Sequence, residues 1–417
     1  MSSPVRLAGL PAEPGHKRYR DGTHRVAAPA ETLGRFRPLA ARMGITRVGM
    51  ITRLDRLGIP VAFAARPNSR SIAVFQGKGL TDDAARASAF MEAAELWHAE
   101  TVLAPQRLAR LSDLRAAGLA VAVEGLVPGG GPALPPHRPI PWVEARDLAT
   151  GETVLVPLEV VHADYTAGMT ALTGTHFQST TNGLASGNTL AEAVAHALYE
   201  VIERDAVTLW MARRDEAEAR RALDPGSIAD PLVLDLLQRF DAAGVAVRLW
   251  DVTSDIGLPA FVCLAAERAG NATDPEIGSG CHVDQGVALA RAITEAAQSR
   301  TAFIAGARDD LAPELYADER RRRRARASAA WLASPETRPL AAPALRPGET
   351  ILDDLAAAVA ALRRVGLERV LAVDLTRADM GLPVARVVVP GLEGAVESDD
   401  ARPPAGPRLL RQREAGR

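Results

Sequence analysis

The sequence predicts an α+β protein in which mixed or antiparallel sheets pack against helices that carry candidate ligand glutamates. Three observations lead there. Strand-like runs come in pairs joined by short links, such as VAVRLWDVT with PAFVCLAAE, the pattern of antiparallel pairing. Ala-rich stretches with helical spacing alternate with those pairs. Three of the helices carry the same kind of polar pair, each soon after a glycine-rich stretch.

Taken in order, residues 1–30 are Pro- and charge-rich and read as irregular. A short helix is expected from Thr32, followed by strands in ITRVGMITRLDRLGIPVAFAARP, with LDRLGIP as the hairpin connection, and in SIAVFQ. Thr81 is placed to cap a helix running from Asp82 to about Glu100. Residues 126–141, dense in Pro and Gly, make a loop, and WVEARDLATGETVLVP closes a hairpin on Thr150-Gly151. Helices are expected over Pro231–Ala243, from about Asp284 to Ala307, and over 350–365. The run Arg320–Arg324 reads as the solvated face of a polar helix or loop, with leader-peptide or partner docking as the alternative. Residues 31–395 form the expected catalytic domain, and 396–417, rich in Pro, Gly and Arg, an unstructured tail.

Composition narrows the function classes. A length of 417 residues gives ample core for one large domain or two to three smaller units. With 49 Lys and Arg against 51 Asp and Glu, no global field points to nucleic acid or to a membrane surface. The two cysteines, Cys263 and Cys281, form no CxxC pair, which suits a reducing compartment and excludes a thiolate zinc site. No secretory h-region and no apolar run of spanning length is visible, so a cytoplasmic location is expected.

The stretch Thr180–Asp205 organises the rest. Its opening, Asn182-Gly183-Leu184-Ala185-Ser186-Gly187-Asn188, is backbone that can approach a ligand closely. Thr189 stands three residues before Glu192, a capping-box spacing. Glu192, His196, Glu200 and Glu203 then fall on one helical face, with apolar residues on the others. His196 reads as a structural histidine rather than a base.

Two further helices match this one. One carries Ser88, Glu92 and Glu95, the other Glu295 and Gln298, and each pair is three residues apart on one face, as Glu200 and Glu203 are. Singly, such pairs are the pattern of an exposed helix. Set among Ala, Leu and Ile, they would repel one another unless divalent cations neutralised them. Oxygen-only ligands favour Mg²⁺ over zinc, and Mg²⁺ usually bridges to phosphates. Lys78, between two glycines, is the natural phosphate contact and Arg204 a second, with Asn188 in the glycine stretch completing the candidate set. Neither GxxxxGK[ST] nor GxGxxG occurs, so any nucleotide site is built from helical glutamates through metal.

These residues resemble the YcaO superfamily, ATP-dependent enzymes that activate peptide backbone amides. The likeness runs from about Lys17 to Glu393 and rests on QGKGLTDDAARASAFMEAAE, NGLASGN…HALYEVIERD and GCHVDQGVALARAITEAAQSR. It implies a YcaO-type fold, with ATP and Mg²⁺ as cofactors. The family's Ser-x₃-Glu-x₂-Glu, Glu-x₂-Glu and later Glu/Gln patterns fall on Ser88, Glu92 and Glu95, on Glu200 and Glu203, and on Glu295 and Gln298. Leu96 departs from it, standing where many relatives carry Arg. In such enzymes the amide oxygen takes the γ-phosphoryl group while a nucleophile adds to the carbonyl carbon. That nucleophile is a substrate Cys, Ser or Thr in azoline formers, and sulfide in the branch that works with TfuA-type partners.

Azoline formers typically end in Pro-x-Pro-x-Pro, whereas this chain ends RPPAGPRLLRQREAGR. GITRVGMITRLDRLGIPVAFAARPNS and PGLEG are similar to the TfuA-associated group. The resemblance therefore implies thioamidation of a substrate peptide or protein, with a TfuA-like partner and a sulfur donor, and it allows a homodimer. Azoline formation is the alternative. A nucleotide-binding subunit without chemistry, or a plain Mg²⁺-dependent phosphohydrolase, would be told apart by whether ATP is consumed only when peptide is present.

Overall fold

The computed structural model describes residues 7, 9–10, 15–213, 216–268, 275–310, 313–333, 336–394 and 405–415. The chain divides into two compact units interleaved in sequence, one from 1–17, 94–209 and 347–417, the other from 18–93 and 210–346. No helix among the described residues is long and apolar enough to cross a membrane.

The unit of 18–93 and 210–346 uses one arrangement twice. Strands Arg47–Met50, Val61–Ala65 and Val74–Lys78 form an antiparallel meander that leads into helix Asp82–Ala99. Strands Val245–Asp251, Ala260–Glu267 and Glu276–Cys281 form a second, which leads into helix Gln285–Ala305. Asp284 starts that helix by accepting the Val287 N–H, and Asp230 caps Pro231–Ala242 in the same way through Leu232 and Val233. Phe240, Phe261, Ile293 and Ala296 lie in a continuous buried cluster beneath this second sheet.

The expected glycine turns are corrected here. Gly77 and Lys78 end a strand, Gly278-Ser279-Gly280 lies inside one, and Leu184–Ser186 is itself a short strand. The reason is contact with the following helix. A Cβ on Gly77 would fall 2.0 Å from the Ala89 nitrogen and 2.4 Å from the Ala85 oxygen. One on Gly278 would fall 2.2 Å from the Ala296 nitrogen, and one on Gly280 2.2 Å from the Ala288 oxygen. Only glycine lets the strand lie directly on the helix backbone.

The other unit holds a six-stranded antiparallel sheet of Gln106–Arg110, Pro139–Asp147, Thr153–Pro157, Leu371–Asp374, Val384–Val388 and Leu184–Ser186. The hairpin read around Thr150-Gly151 is present, with Gly151 at φ 77°. Helix Ile351–Arg364 opens on a capping box between Thr350 and Asp353.

The tail differs from expectation. Residues 396–404 lie outside the described ones, but Pro407–Ala415 is a helix. Leu409 is buried, and the buried Glu393 carboxylate accepts the N–H groups of Gly406 (2.7 Å) and Leu409 (2.8 Å). A carboxylate set against a helix's first N–H groups fixes its start. That carboxylate arrives from outside the tail's own sequence.

Candidate functional site

Glu92 and Glu295 are each gripped by the glycine-bearing strand beside their helix, and Glu95 by the short strand Leu184–Ser186. Glu92 Oε2 accepts the Gln76 N–H at 3.2 Å. Glu295 Oε1 accepts the Ser279 N–H at 3.2 Å and the Ser279 hydroxyl at 3.3 Å. Glu95 Oε1 accepts the Ser186 N–H at 2.8 Å and the Ser186 hydroxyl at 2.6 Å. The close strand–helix approach that glycine permits thus also orients carboxylates. Each of these glutamates spends one oxygen on the strand, and the other oxygen of Glu295 is met by Lys78.

Within the unit of 18–93 and 210–346, Lys78, Glu92, Glu295 and Gln298 come together. Lys78 Nζ lies 2.5 Å from Glu295 Oε2, and Gln298 Nε2 reaches the Gln76 carbonyl at 3.4 Å. Ser88 sits one turn before Glu92, where the Gly77 strand presses on the helix. Loss of water around the Glu92 carboxyl pushes its pKa up to about 7, and the neighbouring Glu295 charge pushes the same way. Arg308, Lys78 and the Gln76 N–H oppose that rise. A carboxyl so poised gains from a nearby cation. Oxygen donors with an ammonium and a guanidinium close by fit a hard divalent ion and a phosphate chain.

Within the other unit, helix Leu190–Ala212 carries Glu200, half-buried, and Glu203, buried. Asn188 is occupied: its N–H and Nδ2 both donate to Glu192 Oε1, at 3.3 and 3.2 Å. Glu192 is buried at 3 % exposure and its N–H is capped by Thr189, so this member of the acidic face is structural. Arg204 is half-buried and follows Glu203 on the helix, turned from it by about 100°.

Two arginines escaped the sequence reading. Arg308 forms a two-point pair with Asp310, and its charge acts on Glu92. Arg386 is buried, donates to the Thr180 carbonyl at 2.6 Å, and is drawn electrostatically by Tyr165 and Glu200. Burial lowers its pKa from the usual guanidinium value. Its sequence signal was available: a charge inside the apolar strand run VARVVVPG is costly unless it is paired. Neither cysteine is an evident nucleophile, since both are buried and burial pushes the Cys263 thiol far up.

Comparison with known proteins follows the same lines. A family profile described as YcaO cyclodehydratase, ATP- and Mg²⁺-binding, matches residues 76–393. An uncharacterized protein in the tfuA 3′ region of Rhizobium leguminosarum bv. trifolii is 38 % identical over 384 residues, covering 88 % of each chain. An uncharacterized protein of Methanothermobacter thermautotrophicus is 38 % identical over 375 residues, covering 88 % of this chain and 94 % of its own. Among solved structures, YcaO from Methanopyrus kandleri bound with AMPPCP and Mg²⁺ superposes with a TM-score of 0.72 at 26 % identity, covering 94 % of this chain and 99 % of that one. A heterocyclase in complex with substrate and cofactor shares the fold, with a TM-score of 0.77 at 23 % identity. The match covers 93 % of this chain but only 55 % of the heterocyclase, so the chain spans about half its length. With three-quarters of its length under the family profile and close relatives along nearly all of it, the chain belongs to the YcaO family, whose members bind ATP and Mg²⁺.

Proposed function

We propose that the chain uses ATP to activate a backbone amide of a peptide, and that sulfide then replaces the amide oxygen to give a thioamide. The observation that carries the activation step is the set of strand-held glutamates, Glu92, Glu95 and Glu295, whose carboxylates are oriented before any ligand arrives. Glu200 and Glu203 complete the metal set. Lys78, Ser88, Asn188, Arg204 and Gln298 complete the nucleotide contacts. The choice of sulfide is supported by the Rhizobium relative, which lies beside tfuA. A TfuA-like protein is accordingly the proposed partner.

ATP, when bound, supplies the phosphoryl group that turns the amide oxygen into a leaving group, and Mg²⁺ supplies counter-charge. The residues do the positioning. The glutamates would hold the cation, and Lys78 and Arg204 would offset the anionic charge of the phosphates. Hydrosulfide adds to the carbonyl carbon, the C–O bond breaks with phosphate as leaving group, and the sulfur proton is lost to solvent. No enzyme nucleophile is required, in keeping with the buried cysteines.

The experiment is mass spectrometry of a candidate precursor peptide incubated with the enzyme, a TfuA-like protein, ATP, Mg²⁺ and sulfide. A gain equal to sulfur minus oxygen supports the reading. Loss of one water at a Cys, Ser or Thr would make the product an azoline, the second reading, which the family's description as cyclodehydratase favours. The metal assignment has its own check. Glu95→Gln, Glu200→Gln and Glu203→Gln should each abolish ATP turnover with the fold intact, and unchanged turnover in two of the three would sink it.

A further inference from the structure

A cavity of about 560 Å³ opens on the unit of 18–93 and 210–346, and none of the candidate nucleotide residues lines it. Its floor is a buried ionic ladder. Arg300 Nε pairs with Asp55 at 2.7 Å, Arg300 Nη2 pairs with Glu267 at 2.5 Å, and Arg56 closes on the other Glu267 oxygen. Arg300, Asp55 and Glu267 are each buried, with side-chain exposures of 2, 3 and 5 %. Such a ladder costs desolvation and is geometrically strict, so the floor is rigid.

One wall is aromatic. The Phe303 and Tyr316 rings stack with centroids 4.4 Å apart at 22°, and the Tyr316 hydroxyl is held by the Phe303 carbonyl at 3.1 Å. The rim combines charge with exposed apolar surface. Arg53 is exposed and makes no hydrogen bond or ion pair among the described residues. Leu54, next to it, is 51 % exposed. Across from this turn Arg321 lines the cavity from helix Asp318–Leu332, where it belongs to the run Arg320–Arg324. Four arginines thus line the cavity beside Leu54, Phe303 and Tyr316, and two of them, Arg300 and Arg56, are paired with Asp55 or Glu267.

We propose that this cavity docks an acidic segment of the peptide substrate, away from the amide that is modified. Carboxylates of the segment pair with Arg53 and Arg321, and one aliphatic or aromatic side chain lies against Leu54, Phe303 and Tyr316. Arginine suits this role because its planar fork pairs with carboxylates in two-point geometry and packs on aromatic faces. Charge and apolar anchor together are what a peptide offers and a simple anion does not. The proposal rests on the reading that the chain acts on a peptide, and it gives the arginine run a purpose beyond solvation. It also supplies affinity for substrate sequence that the amide alone cannot provide.

The test is fluorescence anisotropy with the full-length chain and no ATP. The probe is a labelled twelve-residue peptide of alternating Glu and Ser with one central Phe. A Lys-for-Glu peptide and an oligonucleotide of equal charge are the comparisons. Saturable binding of the acidic peptide that weakens with salt is expected, and Arg53→Glu and Leu54→Ser should each weaken it about tenfold. Arg53 lies in an exposed turn, so these variants avoid the folding risk of Arg321→Glu, which serves as a second check where its melting temperature matches wild type. Mg²⁺–ATP affinity should be unchanged in all of them. Absence of saturable binding, equal affinity of wild type and Arg53→Glu, or oligonucleotide binding as tight and as sensitive to the same changes would each overturn the proposal. Because the assay needs no turnover, these failures are separable from failure of the amide-activation reading.

Discussion

The ammonium of Lys78 and the carboxylate of Glu295 lie 2.5 Å apart and join strand Val74–Lys78 to helix Gln285–Ala305. The lysine read from the sequence as a phosphate contact therefore has a partner before any phosphate is present. Both side chains keep some exposure, 16 and 30 %, so the pair can open at modest cost. Lys78 is accordingly expected to trade Glu295 for phosphate oxygens once a cation has taken over the carboxylate. Lys78→Ala should weaken Mg²⁺–ATP affinity roughly ten- to a hundredfold, the value of a charged hydrogen bond, with little change in melting temperature. Isothermal titration calorimetry checks this; an affinity within twofold of wild type would end the phosphate role.

The glycines of the two meander strands give a sharper structural test. In Gly278→Ala the new methyl meets helix backbone at 2.2 and 2.3 Å, and backbone cannot rotate away as a side chain can. The cost should reach about 3 kcal/mol or more, and the displaced strand should carry Ser279 away from Glu295. Gly34→Ala is the control, since nothing lies within 4 Å of its added methyl and the residue is helical. That change should raise stability by up to about 1 kcal/mol. Denaturant midpoints of the two variants should therefore move in opposite directions. A midpoint for Gly278→Ala at or above wild type would refute the close-approach argument.

The sequence carried the parts of the site that are local. Spacing three residues apart on a helix is fixed by helical geometry, so Glu92 and Glu95, Glu200 and Glu203, and Glu295 and Gln298 were readable one helix at a time. So were the strand pairs, because Thr150-Gly151 and LDRLGIP punctuate them. What stayed hidden depends on partners distant in sequence. Ser186 grips Glu95 across 91 residues, and Arg386 meets Thr180 across 206. The glycines read locally as turns, since the obstacle that demands them is a helix backbone no local pattern describes. The tail departs from its local pattern for the same reason. Its helix starts on Glu393, and its composition alone, Pro, Gly and Arg, spoke for disorder.

Two buried histidines should make the protein sensitive to mild acid. Burial lowers the pKa of His98 to about 4, and that of His162 to about 4 as well. Both values lie below the ordinary histidine value near 6.5, so the unfolded chain binds protons first as pH falls. Their contribution is complete above about pH 6.5 and declines through the window down to about pH 4, by roughly 2 kcal/mol for each at pH 5. Glu92, with its raised pKa, acts in the opposite sense over the same range, so a difference measurement is needed. His98 Nδ1 faces the Ala94 carbonyl at 2.8 Å, a bond that Gln can replace. The stability gap between wild type and His98→Gln should shift by about 2 kcal/mol in favour of the variant from pH 7 to pH 5. A gap constant with pH would show that His98 is protonated in the folded state.

Arg408 ties the C-terminal helix to the helix that carries Glu200 and Glu203. Its Nε lies 3.1 Å from Asp205, a fully buried carboxylate two residues beyond Glu203. The same Asp205 oxygen accepts the Glu393 N–H at 3.0 Å, and Glu393 in turn holds the start of the tail helix. Gln412 adds a bond to the Leu209 carbonyl at 3.3 Å, and the Thr208 hydroxyl donates to the Gly394 carbonyl at 2.6 Å. Removing one member of a buried charge pair leaves the other uncompensated, which costs more than the pair itself contributes. Arg408→Met should therefore destabilise the chain by about 3 kcal/mol, and the double change Arg408→Met with Asp205→Asn should recover a good part of that loss. The effect should extend to function, because Asp205 stands next to the glutamate turn of the helix. Mg²⁺–ATP affinity should fall in Arg408→Met at temperatures where the fold is still intact, and Arg408→Lys should restore part of it. If Arg408→Met lowers the melting temperature while leaving Mg²⁺–ATP affinity unchanged, the tail helix stabilises the fold without positioning the glutamates.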